Sequence, residues 1–192
     1  MSTTDRPATD RPAADRPATD RHGTATVTLQ SDLEFVITRQ FDAPAALVFK
    51  AWTTPELVRR WWGFETWEWL VCEIDLREGG TWRYVTRETV NAEPFEVGFH
   101  GEFRTIVAPH RIVSTEVYEG FTDPDSPGDE AGALNTITFD ESDGVTTMTI
   151  LVAHAKPEHR DAHIASGMEG GMQISMNRLE DLVIELDRSG RD

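Results

Sequence analysis

The amino-acid sequence predicts one α+β domain in which a curved antiparallel sheet wraps a long terminal helix and encloses an apolar cavity. Three observations carry this reading. Strand-like runs from residue 67 to residue 154 follow one another with no helix between them, two short helical signatures stand just before them, and one long amphipathic helix closes the chain. Elements segregated in this way bury their apolar faces readily when the sheet curls around the helix. A domain of about 150 residues buries roughly 68–70% of its unfolded surface, so no disulfide or metal staple is needed.

Each element has its own signal. Glu34 to Phe41 (EFVITRQF) alternates apolar and polar residues over much of its length, as a half-buried strand does. Asp42 stands where it would cap a helix whose first turn holds Pro44 and whose face carries Leu47, Val48, Ala51 and Trp52. Thr54-Pro55-Glu56 repeats the start signal, and this second short helix runs into Trp61-Trp62-Gly63. Strands are then expected at Trp67–Leu76, Thr81–Thr89, Val97–Val107, Arg111–Tyr118, Leu134–Asp140 and Val145–His154. Gly79-Gly80, Pro109-His110 and Asp143-Gly144 mark tight turns, and such short gaps imply antiparallel hairpins. The Gly-, Pro- and Asp-rich stretch from Glu119 to Ala133 reads as a mobile loop. Ile164, Met168, Met172, Met176, Leu179, Val183 and Leu186 form one apolar stripe of a single long helix, with Gly190 just beyond it.

Residues 1–23 repeat TDRPA, TDRPA, ADRPA, TDRHG and offer nothing apolar but alanine and proline after Met1, so they are expected to be a disordered tail. Residues 24–32 read as a linker, 33–188 as the domain and 189–192 as a short terminal tail. The net charge of −16, from 34 acidic and 18 basic residues, argues against nucleic acid and anionic membrane surfaces as partners. No apolar run approaches the ~20 residues of a membrane span, and the N-terminus lacks a signal-peptide pattern. The lone Cys72 lies in an apolar strand-like run and reads as a buried thiol, so a cytoplasmic location is expected.

The stretch FDAPAALVFKAWTTPELVRRWWG (Phe41–Gly63), followed by DLREGGTW (Asp75–Trp82), GEFRTIVAPHRIV (Gly101–Val113) and the terminal helix, resembles the START-like, SRPBCC superfamily. More closely it looks like the bacterial branch related to activators of the heat-shock-protein-90 ATPase. The resemblance implies a helix-grip fold with a hydrophobic cavity between sheet and helix. Superfamily members bind lipids, sterols or polyketides, and some catalyse aromatase or cyclase reactions. One fold hosts many functions, so three stay open: binding of a small hydrophobic molecule, a co-chaperone role with a protein partner, and a polyketide cyclase-like enzyme. Binding ranks first.

Candidate residues follow from that cavity. Met168 and Met172 lie on the stripe in a half-helix weakened by Gly167, Gly170 and Gly171, and methionine suits irregular partners. All six tryptophans fall between Trp52 and Trp82. Trp52 and Trp61 are expected to pack the short helices on the sheet, although Trp61, like Trp67, also offers a pocket surface. Trp69, Trp82, Tyr84 and Phe99 are expected to line the cavity, with His100 or Glu102 as polar anchors. Inward-pointing acids or bases for catalysis are sought among His100, Glu102, Glu116 and His154, but no paired partner stands out, so no catalytic residue is assigned. His154, His159 and His163 have usable metal spacing without a carboxylate or cysteine to complete a site, and Asp123, Asp125, Asp129 and Glu130 fail calcium-loop spacing. No metal and no cofactor are expected.

Overall fold

In a computed structural model of the protein, which describes residues 21–90, 93–119 and 132–190, the alternating stretches become the strands of one antiparallel sheet. In chain order the elements are β1 (Thr26–Leu29), β2 (Glu34–Phe41), α1 (Ala45–Thr53), α2 (Pro55–Trp61), β3 (Glu68–Ile74), β4 (Thr81–Val90), β5 (Glu93–Val107), β6 (Arg111–Tyr118), β7 (Ala133–Ser142), β8 (Val145–Ala153), α3 (Pro157–Ala165) and α4 (Met168–Ser189). The eight strands run in the order β1-β2-β8-β7-β6-β5-β4-β3. The sheet curves around α4, which is the helix-grip arrangement of an α+β domain.

Register explains where the core sits. Phe35, Ile37, Arg39 and Phe41 of β2 stand opposite Val152, Ile150, Met148 and Thr146 of β8, and Ile150 and Met148 stand opposite Ile137 and Phe139 of β7. Residues directly opposite each other share a face, and every one of these side chains is buried. Against this face lie Leu179, Leu182 and Val183 of α4 with Val48, Ala51 and Val58 of the short helices. One charged pair interrupts the apolar core: Arg39 Nη2 donates to Glu180 Oε2, with both side chains at 1% exposure or less.

Four expectations need correction. The terminal helix is two helices, because Gly167 takes a left-handed φ of 80° and separates α3 from α4. Segment 24–32 is more than a linker. It supplies β1, whose four residues are too few for a periodicity signal and which is held by pairing to β2. The tail as drawn also reaches too far: residues 1–20 lie outside the described residues, but Arg21 forms an ion pair with Asp42 at 2.8 Å. His22 meets Asp181 at 3.1 Å, Gly23 N–H donates to Asn177 Oδ1 at 2.9 Å, and Gln173 Nε2 donates to the Ala25 carbonyl. Gln173, Asn177 and Asp181 recur every four residues, so one face of α4 straps this segment down. Finally, neither Asp42 nor Thr54 caps a helix through its side chain. Glu141 of β7 accepts the Ala45 N–H at 2.8 Å instead. The stretch expected as a mobile loop falls mostly at residues 120–131, outside the described residues.

Candidate functional site

The sheet changes character from β7 toward β3. On the β2, β8 and β7 side the inward residues are sealed, but on β3 to β6 several inward side chains stay partly accessible to solvent. Tyr84 of β4 stands opposite Phe99 of β5, Phe99 opposite Tyr118 of β6, and Trp69 of β3 opposite Thr86 of β4. Trp69, Tyr84 and Phe99 pack on the core yet are only half-buried, as are Met168 and Met172 of α4. The backbone of α4 approaches α1, α2, α3 and β2 most closely. The strands β3 to β6 come less close to it.

An aromatic cluster covers this part of the sheet. Trp62 is its hub, with ring centroids 5.4 Å from Trp69, 5.6 Å from Tyr84 and 5.5 Å from Phe99. Tyr84 lies 4.9 Å from Trp82 and 5.9 Å from Trp69. These edge-on and tilted contacts are the favoured aromatic geometries. Of the residues expected to line a cavity, the structure thus brings together Trp69, Trp82, Tyr84 and Phe99. Trp62 was missed. It is the residue just past the end of α2, where the chain turns extended and directs its side chain over the sheet. Trp61 instead stacks on Trp52 at 4.7 Å and donates Nε1–H to the Ala51 carbonyl at 3.0 Å, so it packs helices. Trp67 packs at a tilt against Phe64 and donates to Glu88.

The expected polar anchors fall on the wrong face. His100 stands opposite Arg83, and Glu102 opposite Thr81, one step out of phase with the inward Tyr84–Phe99 pair. A one-residue offset in a strand reverses the side chain's direction. His100 Nδ1 meets Glu119 Oε1 at 2.7 Å, and Glu102 accepts from Arg104 at 2.7 Å. With Glu73, Thr81, Arg83 and Glu119, His100 borders an open outer groove of about 370 Å³. The Arg83 guanidinium beside Glu119 holds that carboxyl below its ordinary range.

The inward acid is Glu116. It lies on β6 opposite Ala133 of β7, two residues beyond the buried Ser114, which pairs with Asn135. Asn135 Nδ2 donates to Glu116 Oε2 at 3.2 Å, while burial pushes the carboxyl up to about 7 against that bond. His154 lies just past β8, where Nε2 meets His163 Nδ1 at 3.2 Å and both rings pack on Phe35. Burial, then the neighbouring His154, lowers His163 to about 4. Among the described residues no group of three or more His, Cys, Asp or Glu converges as a metal site would.

The raised value at Glu116 has a consequence for stability. The folded chain holds this proton more tightly than the unfolded chain does. Ionising the carboxyl therefore opposes folding increasingly between pH 4.5 and about 7, and by a constant amount above that. The cost at high pH is on the order of 3 kcal/mol. Glu116→Gln, neutral throughout, is expected to be more stable than the parent by about that amount at pH 8 and by under about 1 kcal/mol at pH 5. Urea unfolding of both proteins at the two pH values checks it.

The model of one protein family, activator of Hsp90 ATPase homolog 1-like protein, matches residues 42–183, the span that holds the short helices, β3 to β8 and most of α4. The chain belongs to this family. Solved structures similar to this member include a protein from Rhodobacter sphaeroides, 25% identical, with a TM-score of 0.71 over 84% of this chain and 99% of that one. Protein Ms6760 from Mycobacterium smegmatis is 24% identical, with a TM-score of 0.68 over 86% and 96%. An activator-like family protein from Aeromonas hydrophila shares the fold at 18% identity, with a TM-score of 0.54 over 79% and 94%. No curated protein matches the chain. Family and fold together support the START-like superfamily and its helix-grip architecture. No helix among the described residues is long and apolar enough to cross a membrane.

Proposed function

We propose that this domain binds a small apolar or amphipathic molecule between β3–β6 and the N-terminal half of α4. The observation that carries the reading is the half-buried aromatic cluster around Trp62, which packs on the same core as the half-buried Met168 and Met172. Apolar area removed from water contributes about 25 cal/mol per Å², so a ligand burying on the order of 300 Å² gains several kcal/mol before association costs. Trp69, Trp82, Tyr84, Phe99, Met168 and Met172 are the proposed lining. The outward His100 and Glu102 have no part in it.

Native mass spectrometry of protein purified gently from its own host, with tryptophan quenching by a panel of lipids, aromatics and polyketides, tests the proposal. Met172→Trp adds bulk at the proposed site, so it is expected to abolish quenching while the circular dichroism spectrum is kept. Equal quenching in parent and variant would place the ligand elsewhere. The family description supports a second reading, activation of an Hsp90-type ATPase through a surface contact. Stimulation of a partner ATPase that persists unchanged in Met172→Trp would favour that reading over the first.

A further inference from the structure

The inward face of the sheet also carries a polar pair, Glu116 and Asn135. Glu116 is flanked by residues without bulk: Ala133 stands opposite on β7, and the β5–β6 register places Gly101 opposite on β5. A Cβ at Gly101 would lie 1.8 Å from the Thr115 carbonyl oxygen and 2.6 Å from Trp82 Nε1, so only glycine permits this approach of Trp82 toward β6.

Hydrogen bonding around it is incomplete in a directional way. Asn135 spends its amide donor on Glu116 Oε2. Its own Oδ1 is buried with no partner among the described residues, as is Trp82 Nε1. The amide orientation follows from that bond, since the reverse would set oxygen against oxygen when the acid is ionised. Asn135 thus sets one unmatched buried acceptor beside the Glu116 carboxyl. Among the described residues the inward face of β3 to β6 supplies no cation, and the buried Arg39 is committed to Glu180 of α4. Buried acceptors left unmatched are costly, and a carboxylate brought beside Glu116 would add like-charge repulsion.

We propose, resting on the cavity reading above, that Glu116 and Asn135 hold the polar end of the ligand and select apolar molecules that end in a hydrogen-bond donor, a hydroxyl or protonated amine, over apolar carboxylates. The donor fills the two acceptors while the remainder of the molecule lies on the Trp62 cluster.

Calorimetric titration at pH 8 with decylamine, decanol and decanoate, three probes of matched chain length, tests this. The amine and alcohol are expected to bind the parent about tenfold or more tighter than decanoate, the size of a hydrogen bond to a charged group. In Glu116→Gln, which keeps the shape and is expected to fold at least as well, that preference collapses: the amine weakens by about tenfold and decanoate strengthens. Decanoate binding as tightly as the amine, or a preference that survives Glu116→Gln, overturns the head-group assignment and leaves the cavity intact. Failure of all three probes to bind the parent overturns the cavity reading and this inference with it.

Discussion

Glu180→Ala is expected to destabilise the protein by about 3–5 kcal/mol, because it strands a buried guanidinium. Arg39 sits on the inward face of β2 opposite Met148 and is essentially inaccessible. Its charge is answered by Glu180 on α4, while its Nε and Nη1 atoms find no acceptor among the described residues. Burial raises the Glu180 carboxyl above its ordinary range, and the neighbouring Arg39 opposes that rise. A pair this incompletely hydrogen-bonded stabilises little against a greasy replacement, yet losing one member is severe. Arg39→Met alone should therefore cost about as much as Glu180→Ala, whereas Arg39→Met combined with Glu180→Leu should come within about 1–2 kcal/mol of the parent or exceed it. Urea midpoints for these four proteins and the single Glu180→Leu variant complete the cycle. Additive losses in the double variant would mean that each side chain acts through packing rather than through its charge.

Leu179→Ala is expected to cost about 2–5 kcal/mol. Leu179 is fully enclosed, with Met176, Leu182 and Val183 beside it on the α4 stripe, so truncation leaves a cavity that the sheet and short helices cannot fill by collapse. Ile174→Ala on the same helix provides the contrast. Ile174 is 39% exposed and outside the core, so its truncation should change stability by about 0.5 kcal/mol or less. Thermal unfolding of the two variants reads the difference directly, and comparable losses would mean that α4 is rotated on the sheet.

Much of this architecture was legible beforehand, because its signals are local. Arg111–Tyr118 has in the fold the bounds that its sequence pattern predicts, and the Asp143-Gly144 turn joins β7 to β8 as its composition implies. The break at Gly167 was harder to see. The apolar stripe continues in phase across it, and a helical glycine and a left-handed one look alike in sequence. Short β1 is illegible for the opposite reason, since four alternating residues carry too little period to stand out.

The candidate site divides along the same line. Strand alternation established that Trp82 and Tyr84 share one face and that Phe99 and His100 cannot, but alternation is symmetric and does not say which face meets the helix. That choice follows from the pairing of strands far apart in the chain, which turned Phe99 and Glu116 inward and His100 and Glu102 outward. Glu116 meets Asn135 across 19 residues, and Arg39 meets Glu180 across 141. The sequence alone determined the kinds of element, their order and the apolar stripe of the terminal helix, since each depends on neighbours within one or two turns. Which polar groups the domain buries, and what they face, was decided only by the tertiary structure, because a buried charge is defined by partners that local periodicity cannot see.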